Sequence, residues 1–309
     1  MRNLVSVIIV TRNRKKEFIK SLDSILTSTY KPLEVIVVDN KSDFDITKTF
    51  PERVFKKIKL IQSYKNLGAA GGRNLGARHA KGDYLLFFDD DVIADKKMVA
   101  ELVKVLSDKK NTVVTSPKIY DLDKKNTLQA VGHWVNMITG RIGGWGVYEK
   151  DIGQYEKILK IPMAGGVLLI KKEFFKKAHG FDEVFFIPYE DSDLTYQATK
   201  SGYDVLFVPK ATCFHPSKKI VMPEKIQMLG ITSPERAYRT LRNKIILIRK
   251  NGKWYEVLIF VCIFVPIYFI IHSAIILSAR GYKTLWYYWK GTISGLLYVI
   301  GGPKWALLI

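Results

Sequence analysis

Cysteine is almost missing from this chain: Cys213 and Cys262 are the two among 309 residues. Such a pair offers neither a disulfide framework nor a Cys-x-x-Cys metal site, which fits a reducing compartment. Glycine is missing where a dinucleotide fold needs it. The first apolar run, Val5 to Val10, passes into Thr11-Arg12-Asn13-Arg14 without Gly-x-Gly-x-x-Gly, which disfavours NAD and FAD. No P-loop spacing with Gly-Lys-Ser/Thr occurs either. Acidic residues are scarce, 29 against 49 Lys and Arg, and the formal net charge of +20 favours polyanions: nucleic acid, nucleotide substrates or an anionic membrane face. Finally, Val257 to Ala279 holds no Lys, Arg, Asp or Glu. Its length matches the roughly 20 residues that cross a bilayer core.

That apolar run divides the chain. Residues 1–250 alternate short β-branched runs with amphipathic, Lys-rich segments, and residues 251–309 are expected to form membrane-associating helices. Pro266 would kink the run, which a membrane helix tolerates. Trp254 and Tyr255 before it, and Arg280, Tyr282, Lys283, Trp286, Tyr287, Tyr288 and Trp289 after it, have the character of interfacial anchors. Ile293 to Ile300 is expected to begin a second, shorter, re-entrant or interfacial element. A buried helical hairpin in a soluble protein is the competing reading. Past Lys253, Arg280, Lys283, Lys290 and Lys304 stand against Glu256, so +17 of the +20 lies in the preceding part. A basic domain beside a membrane segment is expected on the cytoplasmic face, drawn to anionic lipid. Met1-Arg2-Asn3 and the short run after it imitate a signal peptide, but a basic stretch follows with no small-residue cleavage site, so the run reads as a first strand.

The expected strands are Val5 to Val10, Glu34 to Val38, Ile58 to Gln62, Tyr84 to Phe88, Thr112 to Thr115, Gly166 to Ile170 and Val205 to Val208. Lys15 to Thr27, Gly72 to His79, Lys96 to Leu106 and Asp191 to Ser201 have helical spacing. The run Tyr84 to Phe88 ends in Asp89-Asp90-Asp91. A strand's carboxyl end is where open α/β sheets place ligands, and three crowded carboxylates repel one another unless a cation joins them. A divalent metal bridging to a diphosphate is one reading, and a solvated acidic turn at a helix start is the other.

Around that triplet, the first two strands end in Thr11-Arg12-Asn13 and Val38-Asp39-Asn40, where a nucleotide would sit. Asn66 to Gly76 is rich in small residues, and its helix start with Arg73 suits a phosphate; tight helix-on-sheet packing explains the glycines as well. Glu190-Asp191-Ser192-Asp193 sets three carboxylates at a helix start, as caps or as the source of a general base. His215 follows a strand and reads either as a metal ligand or as a structural histidine.

Taken in order, these segments resemble glycosyltransferase family 2, the inverting enzymes of the GT-A fold. The resemblance covers most of the first 250 residues and implies a Rossmann-like mixed α/β sheet flanked by helices, with C-terminal membrane-associated helices following it. By position it implies that Thr11, Asn13 and Asp39 hold the nucleoside with Arg73 near it, and that Asp90 approaches the ribose. Asp89 and Asp91 look like the family's Asp-x-Asp pair for Mg²⁺ or Mn²⁺, Asp91 leading, with His215 as a further metal residue. Asp191 matches the usual catalytic base, and Glu190 is its rival. Arg239, Arg242 and Asn243 resemble a segment of rhamnosyltransferase-like members, and a basic membrane-facing helix explains them equally. No Gln-x-x-Arg-Trp motif of processive synthases occurs.

The function expected from this resemblance is metal-dependent, inverting transfer of a hexosyl-type sugar from a nucleotide-diphosphate sugar to a lipid-linked or glycan acceptor. Membrane lipids are expected partners and nucleic acid is not. The alternatives are a polyprenyl-phosphate sugar synthase and a non-catalytic membrane scaffold.

Overall fold

The computed structural model describes residues 3–49, 52–217 and 222–306. The chain forms two compact units. One comprises Met1–Trp134, Gly144–Phe186 and Glu190–Ser217, and the other Val135–Gly143, Ile187–Tyr189 and Lys218–Ile309.

The first unit is built on strands β1 (Val5–Thr11), β2 (Leu33–Asp39), β3 (Lys59–Gln62), β4 (Tyr84–Asp89), β5 (Ile93–Ala94), β6 (Thr112–Asp121), β7 (Leu128–Ala130), β8 (Gly132–Val135), β9 (Ile142–Trp145), β10 (Leu159–Lys160), β11 (Leu168–Lys171) and β12 (Asp204–His215). The main sheet has the order β10, β12, β6, β11, β4, β1, β2, β3, with β5 paired to β12 and β7 to β6; β8 and β9 form a separate sheet. β1 lies parallel between β2 and β4, while β11 runs antiparallel to both β4 and β6, so the sheet is mixed.

Period-two alternation explains the continuous apolar runs, because both sheet faces are covered. Val5, Val7 and Ile9 of β1 and Leu86 and Phe88 of β4 join one core with Phe18, Leu22 and Ile25 of helix Lys16–Leu26 and Leu102 and Leu106 of helix Met98–Asp108. Ile8, Leu85 and Phe87 face the other core, with Ala70 and Ala77 of helix Gly68–Arg78 and Leu194 and Ala198 of helix Glu190–Lys200. β6 and β12 outrun the expected strands. They pair with each other past a register shift between Val208 and Thr212. Backbone pairing, not an apolar run, carries them to Asp121 and His215.

In the second unit, helix Pro234–Asn251 opens on Ser233, whose hydroxyl accepts the Arg236 N–H at 3.1 Å. Helix Tyr282–Gly301 packs against it through Gly291 and Gly295, four residues apart. A Cβ at Gly291 would stand 1.8 Å from the Tyr238 carbonyl oxygen, and one at Gly295 3.1 Å from the Arg242 Cα. The short element expected at Ile293 to Ile300 is thus the end of a 20-residue helix with one buried, small-residue face. Trp254–Ser278 is a 25-residue helical stretch of mean hydropathy 2.5, and it alone among the described residues is long and apolar enough to cross a membrane. Pro266 does not end it; Phe260–Phe264 just before is π-helical.

Because the Gly291 contact is to backbone, Gly291→Ala is expected to cost about 1–3 kcal/mol, seen as a lower thermal midpoint. Ile300→Ala, on the exposed side of the same helix, is expected to leave that midpoint in place.

Candidate active site

Register brings the expected site residues to one edge. Thr11 pairs with Asp39 across β1 and β2, and Val10 with Asp89 across β1 and β4, so three strand ends lie abreast. The Thr11 hydroxyl donates to Asp90 Oδ2 at 2.8 Å. Asp39, buried, accepts the Ser42 N–H at 3.0 Å, which shapes the loop after β2. Asn13 sits at φ 59°, a conformation that asparagine tolerates. Its amide is exposed and joined to Asp43 in both directions, at 2.6 and 2.7 Å.

The three aspartates separate by partner. Asp89 Oδ1 meets Arg73 at 2.7 Å. Asp90 Oδ1 and Asp91 Oδ2 share Arg14, at 3.3 and 2.7 Å, and Asp91 Oδ1 faces His215 Nε2 at 3.3 Å. The Asp90 side chain is thus turned toward Thr11 and Arg14. Burial pushes its carboxyl up to about 7, against the pull of Arg14 and the Thr11 hydrogen bond. Burial works against the Arg14 charge, but Asp90 and Asp91 raise its pKa on balance. Sequence reasoning missed Arg14. It sits in the basic run Arg12-Asn13-Arg14-Lys15-Lys16, where nothing distinguishes it from its neighbours.

Asp89, Asp91 and His215 offer ligand atoms that all lie within 4.8 Å of one another. Two carboxylate oxygens and an imidazole nitrogen suit a divalent cation. The chemistry of the donor set therefore fits a metal, and the expected pair Asp89 and Asp91 is the part of the triplet that converges with His215.

Arg73 was expected near the nucleoside; its guanidinium is buried, with Nη2 on Asp89 at 2.7 Å and Nη1 on Glu190 Oε1 at 2.9 Å. Burial opposes its charge, yet Asp89, Glu190 and Asp191 outweigh burial and hold it firmly protonated. The adjacent Asn74 donates to the Phe181 carbonyl at 2.8 Å and accepts the Phe181 N–H at 2.9 Å. Nor is the helix start open to an anion: the Ala69 and Ala70 N–H groups donate to the Phe186 carbonyl. The glycines serve packing, since a Cβ at Gly72 or Gly76 would stand 2.6 or 2.5 Å from Val10 or Ile8.

Glu190 and Asp191, neighbours in sequence, have opposite surroundings. Glu190 is 3% exposed, with Oε1 on Arg73 and Oε2 without a hydrogen-bond partner among the described residues. Burial, then Asp191, push its carboxyl up to about 8, with Arg73 pulling the other way. Asp191 is half-buried; its Oδ2 accepts the Gly166 N–H at 3.0 Å and its Oδ1 the Ser192 N–H at 2.6 Å. A Cβ at Gly165 would stand 2.9 Å from that Oδ2, so glycine gives the carboxylate its room. His133 also lies within electrostatic reach of Asp191; burial lowers its pKa and Asp191 opposes that. It belongs to no motif, and sequence reasoning passed over it.

The sequence pattern of glycosyl transferase family 2 matches residues 6–177, which include Thr11, Asn13, Asp39, Arg73 and the triplet but not Asp191 or His215. Over 319 aligned residues the chain is 26% identical to dTDP-rhamnosyl transferase RfbF of Shigella flexneri, covering 99% of each. The mannosyltransferase PcManGT of Pyrobaculum calidifontis, solved with GDP-Man and Mn²⁺, superposes with a TM-score of 0.58 at 18% identity, over 97% of this chain and 88% of that one. GalNAc-T7, solved with UDP, GalNAc and Mn²⁺, gives a TM-score of 0.58 at 19% identity over 70% of this chain and 44% of that one. Those structural likenesses speak for the fold, and they agree with the mixed sheet described above. A non-catalytic scaffold does not fit this company. With its family pattern spanning more than half of its length, the chain belongs to glycosyltransferase family 2 and is a transferase enzyme of the GT-A fold.

Proposed function

We propose that this enzyme moves rhamnose, with inversion, from dTDP-rhamnose to a lipid-linked acceptor at a membrane. The observation that carries the reading is the end-to-end similarity to a dTDP-rhamnosyl transferase, 99% of each chain. It extends past the residues that the family shares and into the apolar C-terminal segment. Helix Trp254–Ser278 supports the membrane part, and the excess of basic residues supports a cytoplasmic face.

In this reading Asp191 is the general base. Glu190 is committed to Arg73 and raised by burial, whereas Asp191 is half-buried and held by the Gly166 and Ser192 N–H groups. Asp191 takes the proton from an acceptor hydroxyl as that oxygen forms a bond to the anomeric carbon. The bond from that carbon to the donor's phosphate oxygen breaks on the opposite face, and the leaving nucleoside diphosphate takes the electron pair. Asp89, Asp91 and His215 would hold the divalent cation, which when bound supplies Lewis-acid stabilisation of the leaving diphosphate. An imidazole among the ligands favours Mn²⁺ over Mg²⁺. Thr11, Asp39 and Asn13 line the edge for the nucleoside, and Arg73 and Glu190 set the distance between the metal strand and the base helix.

Asp191→Asn is expected to lower turnover by about 10²–10⁴-fold with little change in donor KM, and steady-state kinetics showing near-normal turnover would remove Asp191 from this role. Chelation is expected to abolish transfer. Restoration by Mn²⁺ at lower concentration than Mg²⁺ checks the ligand set, and chelator-resistant transfer would refute it. A third outcome concerns pH. Glu190 is raised from 4.5 to about 8 in the folded chain, so its stabilising contribution is full below about 4.5 and is lost as pH rises through about 8. Glu190→Gln is expected to flatten that decline in urea-unfolding midpoints measured across the same range.

A further inference from the structure

The second unit carries a polar cluster that the proposed reaction leaves unused. Lys244 lies on helix Pro234–Asn251, immediately before the buried run Ile245, Ile246, Leu247 and Ile248. Its Nζ sits 4.5 Å from the ring centroid of Tyr268, on the apolar helix Trp254–Ser278, and within electrostatic reach of His272 one turn further along. The hydroxyls around it have partners. Tyr268 donates to the Thr139 carbonyl at 3.0 Å, and the Tyr288 hydroxyl lies 3.2 Å from both the Tyr268 carbonyl and His272 Nδ1.

Among the described residues the ammonium has no matching anion. From Lys218 onward the carboxylates are Glu224, Glu235 and Glu256. Glu235 faces Lys283 at 3.9 Å and Glu256 accepts the Lys253 N–H at 2.7 Å; among the described residues no carboxylate pairs with Lys244. A half-buried cation without a counter-ion is costly, and burial alone pulls this one down to about 8. The apolar stretch that carries Tyr268 and His272 is itself irregular. Phe260–Phe264 is π-helical, a geometry concentrated at functional sites, and Pro266 lacks the N–H that the Cys262 carbonyl would otherwise accept. His272, an ionisable group inside the apolar helix, is itself a mark of function rather than of stability.

We infer that Lys244, flanked by Tyr268 and His272, receives the phosphate of a lipid held in the bilayer, the anionic group of the acceptor. This rests on the lipid-acceptor reading above and adds the place where that acceptor is gripped. Lys244 is then a binding residue that discriminates a phosphorylated lipid from a neutral one, and it takes no part in bond making.

The test uses the full chain in phosphatidylcholine nanodiscs with polyprenyl phosphate as the probe. Lys244→Met is expected to weaken probe binding at least about tenfold, the scale of losing a charge partner. Lys244→Gln should reproduce that loss and Lys244→Arg should retain binding, while all three keep wild-type affinity for dTDP-rhamnose with Mn²⁺. Wild-type probe binding by the methionine and glutamine variants overturns the inference, as does a parallel loss of donor affinity. Equal competition by phosphatidylglycerol or by inorganic phosphate would assign the site to bulk headgroups or soluble anions and overturn it too. Lys244-dependent probe binding without rhamnose transfer to any lipid-linked acceptor would uphold this site and sink the proposed function instead.

Discussion

The organisation of the carboxyl edge depends on one buried cation. Arg73 reaches from a helix on one sheet face to Asp89 at the end of β4 and to Glu190 at the start of another helix. Burying such charges costs desolvation that their attraction barely offsets, so the arrangement is poorly explained as a source of stability. It is better explained as a ruler. Strand end and helix start are far apart in sequence, and the rigid guanidinium fork hydrogen-bonds to both. Asn74, one residue on, fastens the Phe181 turn to the same helix, so consecutive residues hold the segment that leads to Glu190 and Asp191.

Much of the fold was legible in the sequence because period-two runs such as Val5 to Val10 and Tyr84 to Phe88 state their burial on both faces. The ends of β6 and β12 were not, since pairing between distant strands leaves no local trace. The acidic triplet was legible as a cluster. Its division of labour was not, because that depends on Arg14, Arg73 and His215, which come from three separate segments. The glycine-rich stretch was the hardest case: Gly72 and Gly76 are required by helix-on-sheet packing, yet the same letters serve a phosphate cradle. The Phe186 carbonyl, more than a hundred residues away, and the close approach of Val10 and Ile8 separate the two readings.

The second unit follows a different logic. One close approach in it, Gly291 against the Tyr238 carbonyl, comes from absence of side chain rather than from apolar bulk. That mode of packing does not need water to drive it.

Arg14 gives the acidic edge a property of its own. Because it spans Asp90 and Asp91 while Arg73 meets Asp89, each of the three carboxylates has a cationic partner supplied by the chain itself. An edge balanced from within carries its three like charges without borrowing an ion to hold them together.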